Sequence, residues 1–418
     1  MKTVAIIAEY NPFHNGHSYQ LSEIRGRLNP DFVISLMGGN FLQRGHAAMW
    51  DKYKRAEIAC RNGIDAVLEL PFPYATGSAR DFAMGAVSIL NKLGCIDYIA
   101  FGAETYDMTL FTHIANILED EPAEFKALFK QLLSEGISYP AARQRALEQY
   151  LMDDTITDVM SLPNNILAIE YLRALKTTNS KITPVLIQRT CDNYHDETIT
   201  GEISSATAIR KLIKQPDFSY DMYDKLSEDV SDVTLDTLKK LHGVAAPVFT
   251  YDLAPFIQQC LLLETPSDNI CDLTKEMQNK LIRLDPASSY DEIIFFLKSK
   301  EVTSSRISRV LVHLLLNYME NDRDTFASDE YGYYANLLAF REASSEILKC
   351  MASEGEIPII TKKADFYSSL LKYSHIDSIA AKRMWELDTK ATRLYNCMVF
   401  NRYGTRLPND FNVNLPVI

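Results

Sequence analysis

An α/β fold with a parallel sheet, followed by a mainly helical second half, is the architecture this sequence predicts. Three observations carry that expectation. Over about the first 216 of the 418 residues, short apolar runs alternate with segments of helical period. Most of these runs stop at Gly or Pro, which interrupt regular structure. Beyond residue 216, strand-like runs become sparse and helical periodicity dominates.

The elements follow in order. Val4-Ala5-Ile6-Ile7-Ala8 is a β-branched apolar run, the pattern of a strand buried on both faces, and the turn signal Asn11-Pro12 follows it. Residues 17–28 read as a helix closed by Asn29-Pro30. Phe32-Val33-Ile34-Ser35-Leu36-Met37 is a second strand stopped by Gly38-Gly39, and 50–61 is a helix ending near Gly63. Ala66-Val67-Leu68-Glu69-Leu70 is a third strand stopped by Pro71, followed by a helix over 79–93. Tyr98-Ile99-Ala100-Phe101 is a fourth strand stopped by Gly102. This βαβαβαβ rhythm requires parallel pairing, because each return passes through a helix. A helical stretch over 108–151, a helix over 166–175, a strand Thr183-Pro184-Val185-Leu186-Ile187 and a helix over 204–214 complete the first half. In the second half, 232–242, 252–263, 272–283, 290–299, 304–319, 329–351 and 376–388 carry helical periodicity. Ile357-Pro358-Ile359-Ile360 is a short strand that Pro358 confines to a sheet edge. The expected division is 1–216 and 217–418, with no Gly/Ser linker between the two parts.

Composition narrows the function classes. Hydrophobic residues make up 47% and the formal net charge is −12, so any contact with nucleic acid must use a local basic patch. The seven cysteines are dispersed and form no Cys-x-x-Cys pair, which argues against a disulfide framework or zinc knuckle. No apolar stretch approaches membrane-spanning length, so no membrane partner is expected, and the dispersed cysteines fit a reducing cytoplasm.

The strongest chemical signal is Glu9-Tyr10-Asn11-Pro12-Phe13-His14-Asn15-Gly16-His17, between the first strand and the first helix. Open α/β sheets bind ligands at the carboxyl ends of their strands. Helix N-termini there offer unpaired N–H groups and a partial positive charge suited to phosphate. Gly16 permits close approach of a ligand to the backbone. His14 and His17, three apart, place both imidazoles on one side of the first helical turn. There they can donate hydrogen bonds and stabilise charge developing on a transferring phosphate, without acting as bases. A His-x-x-His pair also suits a metal, but no nearby Cys or carboxylate cluster completes a site.

Ser204-Ser205-Ala206-Thr207-Ala208-Ile209-Arg210 begins another helix and combines hydroxyls, free N–H groups and a guanidinium. Read alone it is an ordinary N-cap with an exposed Arg; beside the histidine turn it reads as a phosphate clamp. Gly102 ends the fourth strand at the same sheet edge. Asn164 and Asn165 precede a helix, where they serve either a ribose or adenine or the helix cap. Arg189, just past a strand, is placed to reach phosphate or to sit in solvent. Gly38-Gly39-Asn40 and Arg44 can line a second-substrate pocket or form an ordinary turn. Asp51, Lys52, Arg55 and Glu57 read as a solvated helix face, and His46 reads either way.

His14-x-Gly16-His17 with Ser205-x-Thr207-x-Ile209-Arg210 resembles the HxGH nucleotidyltransferase superfamily. Longer strings sharpen the likeness. Glu9 to His17, Met37-Gly38-Gly39-Asn40-Phe41-Leu42-Gln43-Arg44-Gly45, Leu70-Pro71-Phe72 and Ser204 to Arg210 together resemble the bacterial tRNA(Met) cytidine acetate ligase family. One position departs from the wider superfamily: Ala206 stands where a hydroxyl usually precedes the Thr.

The resemblance implies a Rossmann-like nucleotidyltransferase domain over 1–216 and a tRNA-binding role for 217–418. It implies that acetate attacks the α-phosphate of ATP to give acetyl-adenylate, and that acetyl passes to N4 of the wobble cytidine of elongator tRNA(Met). ATP is then a substrate, with Mg²⁺ as an optional companion. His14, His17 and Arg210 are the expected catalytic residues. Ile7, Ala8, Glu9, Tyr10, Asn11, Pro12, Phe13, Asn15, Gly16, Ser18, Tyr19, Gly102, Asn164, Asn165, Arg189, Ser205 and Thr207 are the expected ATP contacts. Lys239, Lys240, Arg306, Arg309, Lys382, Arg383, Lys390 and Arg393 are candidate phosphate contacts, and Tyr395 and Tyr403 candidate stacking residues. The alternative is an adenylyltransferase that makes a small nucleotide cofactor.

Overall fold

The computed structural model describes residues 1–189, 205–215, 218–299 and 301–418. Seven strands form one sheet: β1 (Thr3–Ala8), β2 (Phe32–Gly38), β3 (Ala66–Leu70), β4 (Tyr98–Ala103), β5 (Thr183–Gln188), β6 (Ala335–Phe340) and β7 (Ile359–Ile360), in the order β5-β4-β1-β2-β3-β6-β7. Strands β1 to β5 pair in parallel. The chain moves one way from β1 through β2 to β3, then returns to place β4 and β5 on the other side of β1. That reversal leaves a crevice at the carboxyl ends of β1 and β4, where open α/β sheets take ligands.

Six helices matter for the site: α1 (Asn15–Leu28), α2 (Lys52–Arg61), α3 (Ala79–Lys92), α4 (Pro163–Thr177), α5 (Ala206–Ile213) and α6 (Ser378–Tyr403). Side chains alternate between the sheet faces. Val4, Ile6, Val33, Met37 and Val67 enter one core with residues of α1 and α2. Ala5, Ile34, Leu36, Leu68 and Ile99 enter the other with residues of α3 and α4.

Two expectations need correction. The 329–351 segment contains strand β6, and its helix begins only at Ser345. Ala335-Asn336-Leu337-Leu338-Ala339-Phe340 lacks β-branched residues and is buried or nearly so on both faces, so it shows no two-residue alternation to separate it from a buried helix. The 108–151 stretch is three helices, Met108–Asp120, Ala123–Ser134 and Tyr139–Leu151. Its breaks fall at Glu121-Pro122 and at Gly136, where Glu121 and Gly136 have positive φ.

Strand β6 runs antiparallel to β3, and β7 pairs in parallel with β6 at the sheet edge, where Pro358 had confined it. The second half therefore supplies two strands to the sheet begun by the first. The C-terminal tail also returns to it, with Asp410 buried against Lys52 and Val417 bridging Phe340. No helix among the described residues is long and apolar enough to cross a membrane.

Candidate active site

The turn from β1 into α1 is held on three sides. Buried Asn11 accepts a hydrogen bond from the Met49 N–H through Oδ1 at 2.8 Å. Its carbonyl accepts one from Arg210 Nη1 at 2.6 Å. Glu9 accepts the Gln43 N–H through Oε1 at 2.9 Å, and its carbonyl takes Arg55 Nη1 at 2.6 Å. Tyr10, at φ 45°, turns a buried ring against Phe13 and His17, with centroids 5.1 and 5.0 Å away. These contacts fix the backbone before α1 starts.

The two histidines cap α1 reciprocally. His14 is the N-cap, and its Nδ1 accepts the Gly16 N–H at 3.0 Å. His17 Nδ1 accepts the His14 N–H at 3.2 Å. This is a capping box built from imidazoles. Its chemical consequence is direct: an Nδ1 that accepts a hydrogen bond carries no proton, so each neutral ring holds its proton on Nε2. The ring centroids lie 4.0 Å apart. Burial, then the charges of Arg189 and Arg210, push the His14 pKa down to about 3. Burial, then His14 and Arg189, hold His17 well below the usual histidine range. Near neutral pH the turn therefore offers two uncharged N–H donors.

The neighbouring guanidiniums come from other elements. Arg189 follows β5, its N–H bound to the Ala103 carbonyl at 3.2 Å. Gly102 lies against it: a Cβ at Gly102 would come within 3.1 Å of Arg189 Cγ. Arg210, on α5, also holds Thr207 Oγ1 at 3.1 Å, and Ser205 caps the helix by accepting the Ala208 N–H. Ser204 lies outside the described residues. His14, His17, Arg189 and Arg210 thus converge at the crevice, an arrangement that suits a polyphosphate.

Other nominated residues have structural work. Asn15 donates its N–H to the Asp229 carbonyl and its amide to the Glu228 carbonyl. Asn165 is buried, with its amide bound to Thr105 and to the Val159 carbonyl. The Asn164 amide donates to Glu104, and the Glu104 carboxylate also accepts the Asn164 and Asn165 N–H groups at the start of α4. Ile7 and Ala8 end β1 half-buried, buried Pro12 and Phe13 support the turn, and Ser18 and Tyr19 lie half-buried in the first turns of α1.

The solvated face expected for α2 is a correction. Lys52 and Arg55 are fully buried. Arg55 gives its guanidinium to the carbonyls of Glu9, Gly38, Gly39 and Trp50, stitching the ends of β1 and β2 together. Lys52 Nζ bridges Glu69 at 2.7 Å and Asp410 at 3.2 Å, while its N–H holds Asn40 Oδ1 at 2.8 Å. Asp51 caps α2, and only Glu57, paired with Lys54 and Arg61, behaves as a surface charge. Glu104 and Arg55 are the organising residues that the sequence reading missed. An acid just past β4, opposite an Asn-Asn helix start, was the available signal for Glu104; Arg55 had none.

Among the described residues, no three metal-ligating side chains gather to hold an ion.

The family model described as HIGH Nucleotidyl Transferase matches residues 1–408. The tRNA(Met) cytidine acetate ligase of Acetivibrio thermocellus is 36% identical over 423 residues, covering 100% of both chains. The enzyme of that name from Caldanaerobacter subterraneus subsp. tengcongensis is 38% identical over 397 residues, covering 94% of this chain and 95% of that protein. Among solved structures, the chain is similar to Thermotoga maritima TmcAL bound with alpha-thio ATP, with a TM-score of 0.91 and 30% identity over 100% of this chain and 99% of that one. The apo form of TmcAL gives a TM-score of 0.93 with 30% identity, over 100% of both chains.

Proposed function

Because the chain belongs to the tRNA(Met) cytidine acetate ligase family of HIGH nucleotidyl transferases, we propose that it activates acetate with ATP and acetylates N4 of the wobble cytidine in elongator tRNA(Met). The observation that carries the chemical part is the paired His14–His17 cap, which leaves each neutral ring its proton on Nε2, with Arg189 and Arg210 close by.

In the first step an acetate oxygen bonds to the α-phosphorus of ATP. The bond from that phosphorus to the bridging oxygen breaks, and pyrophosphate leaves with the electron pair. His14 and His17 donate hydrogen bonds to phosphate oxygens as charge builds on them. Their depressed pKa values keep them from acting as proton donors in the acid–base sense near neutral pH. Arg210 and Arg189 supply the positive charge. In the second step the cytidine N4 attacks the acetyl carbonyl carbon, AMP departs, and N4 loses a proton. Adenylation makes this second attack feasible because AMP is a far better leaving group than oxide.

Residues 1–216 carry the adenylation site in this reading, and 217–418 grip the tRNA. Ile7 to Tyr19, Gly102, Asn164, Asn165, Arg189, Ser205 and Thr207 surround ATP, with Asn15 and Asn165 acting through the loops they hold. The protein acts in the cytoplasm, where its tRNA is.

Acetate-dependent exchange of labelled pyrophosphate into ATP, without tRNA, tests the first step. Exchange that requires acetate is the expected result. Exchange driven instead by a phosphorylated vitamin precursor would overturn the reading in favour of cofactor synthesis.

A further inference from the structure

Four of the eight cations nominated for RNA are paired with carboxylates. Lys239 pairs with Asp224, Lys240 with Asp236, Arg309 with Asp272 and Arg383 with Asp322, while Arg306 holds the Asp272 carbonyl. Tyr395 is fully buried with its hydroxyl on the Ala48 carbonyl, so it cannot stack a base.

A different surface combines charge with aromatic rings beside the active site. Phe249 and Tyr251 stack with centroids 5.2 Å apart and planes 25° from parallel. The Arg402 guanidinium, at the end of α6, lies 5.2 Å from the Phe249 centroid, 5.6 Å from Tyr251 and 5.4 Å from Tyr403. Arg402 also pairs with Asp252 at 2.9 Å and donates to the Tyr403 hydroxyl, which fixes the plane of its guanidinium. Lys214 Nζ sits 5.1 Å from the Tyr251 centroid. Lys214 and Arg402 are exposed, and Phe249, Tyr251 and Tyr403 are half-buried.

Two connections join this surface to the adenylation site. Lys214 follows Arg210 by four residues at the end of α5, so both lie on one helix face about one turn, or ~5.4 Å, apart. Arg210 reaches the Asn11 carbonyl, and Lys214 reaches the aromatic pair. Independently, the Val248 N–H binds the Met49 carbonyl at 3.0 Å, and the Met49 N–H binds Asn11. Phe249 therefore begins one residue beyond a strap tied to the histidine turn. His46 records the same convergence, since Arg210, Arg44 and Lys214 all act on it.

We propose that Lys214, Phe249, Tyr251 and Arg402 form a platform on which an unpaired anticodon-loop base, a close neighbour of the reacting cytidine, stacks while Lys214 meets its phosphate. The chemistry is that of single-stranded RNA: aromatic and guanidinium planes take unstacked bases without needing sequence, and an ammonium takes the backbone. With Arg402 paired to Asp252, Lys214 supplies the positive charge of this surface, and in a chain of net charge −12 a phosphate would be drawn to it beside the rings. This inference rests on the proposed function and assigns the place where its second substrate enters.

The test uses the full-length protein, an anticodon stem-loop of elongator tRNA(Met) and acetate-dependent pyrophosphate exchange. Tyr251→Ala is expected to weaken stem-loop binding by about 10- to 100-fold, the usual range for one lost stacking partner, with exchange unchanged. Tyr251→Phe, which keeps the ring, restores binding. Lys214→Glu weakens binding and lowers the salt slope of the logarithm of affinity by about 1. Stem-loop affinity unchanged in both Lys214→Glu and Tyr251→Ala would overturn the platform. If Tyr251→Ala loses exchange as well, the exposed Lys214 decides alone, and unchanged affinity there overturns it. Failure of the wild-type protein to exchange pyrophosphate with acetate refutes the proposed function instead, so the two failures are separable.

Discussion

Replacing His17 separates two roles that one imidazole combines. His17 Nδ1 accepts the His14 N–H at 3.2 Å, which closes the cap. Its Nε2 carries the proton that the account assigns to phosphate. An Asn side chain can place Oδ1 where Nδ1 stood, but it is too short to place a donor where Nε2 stood. A Gln side chain reaches the Nε2 position with an N–H and leaves the Nδ1 position empty. Loss of one donor to transition-state charge costs about 2.7–4 kcal/mol, a factor of ~10²–10³ in kcat. Loss of one cap contact costs about 1 kcal/mol of stability. His17→Asn should therefore lower kcat for acetate-dependent pyrophosphate exchange by roughly 10²–10³, while the apparent Tm moves by no more than about 2 °C. His17→Gln should keep more activity and lose more stability. Exchange kinetics and thermal melting on both variants decide the matter. An Asn variant as active as wild type, or one more active than the Gln variant, would refute the assignment of the proton to Nε2 and with it the donor role.

Three further outcomes follow from the same contacts. Gly102→Ala brings a Cβ to within 3.1 Å of Arg189 Cγ, so the Arg189 side chain must give by a few tenths of an ångström; the KM for ATP in the exchange assay should rise, by at most about tenfold, the value of one charge-assisted contact, with little change in urea stability. Arg55→Met leaves the carbonyls of Glu9, Gly38, Gly39 and Trp50 without their buried donor, and urea unfolding should report a loss of about 3 kcal/mol or more. Stability should also fall on mild acidification. Burial holds His14 down to about 3 and His46 and His313 to about 4, with His17 depressed as well, so below pH 6.5 the unfolded chain takes up protons that the folded chain refuses. Asp388, raised to about 7 chiefly by burial, opposes this by one proton, because it is already protonated when folded. With four depressed histidines against Asp388, stability should fall as pH drops from 6 to 4.5. Urea midpoints across that window check it, and a flat profile would contradict the burial of these rings.

Sequence alone revealed the parallel sheet because β1 to β4 are short apolar runs, each followed by Gly, Pro or a turn. It revealed the histidine turn because His14-x-Gly16-His17 stands directly between the first strand and the first helix. What stayed hidden depended on distant partners. Lys52 looked like a surface charge because its counter-ions, Glu69 and Asp410, stand 17 and 358 residues away. Asn165 stayed open between a ligand contact and a helix cap because its partners, Thr105 and Val159, belong to other elements. Strand β6 was concealed by burial on both faces, which removes the alternation a half-exposed strand would show. Arg189 and Arg210 were nominated one by one; only the fold places both charges on His14.

Acetyl transfer to the tRNA is the activity that the histidine turn and its two guanidiniums must support. The protein is incubated with ATP, labelled acetate and unmodified elongator tRNA(Met), and the tRNA is digested to nucleosides. Label is expected in N4-acetylcytidine from the wobble position, with one AMP and one pyrophosphate formed per acetyl group. Pyrophosphate release with acetate but no label in the tRNA would contradict it.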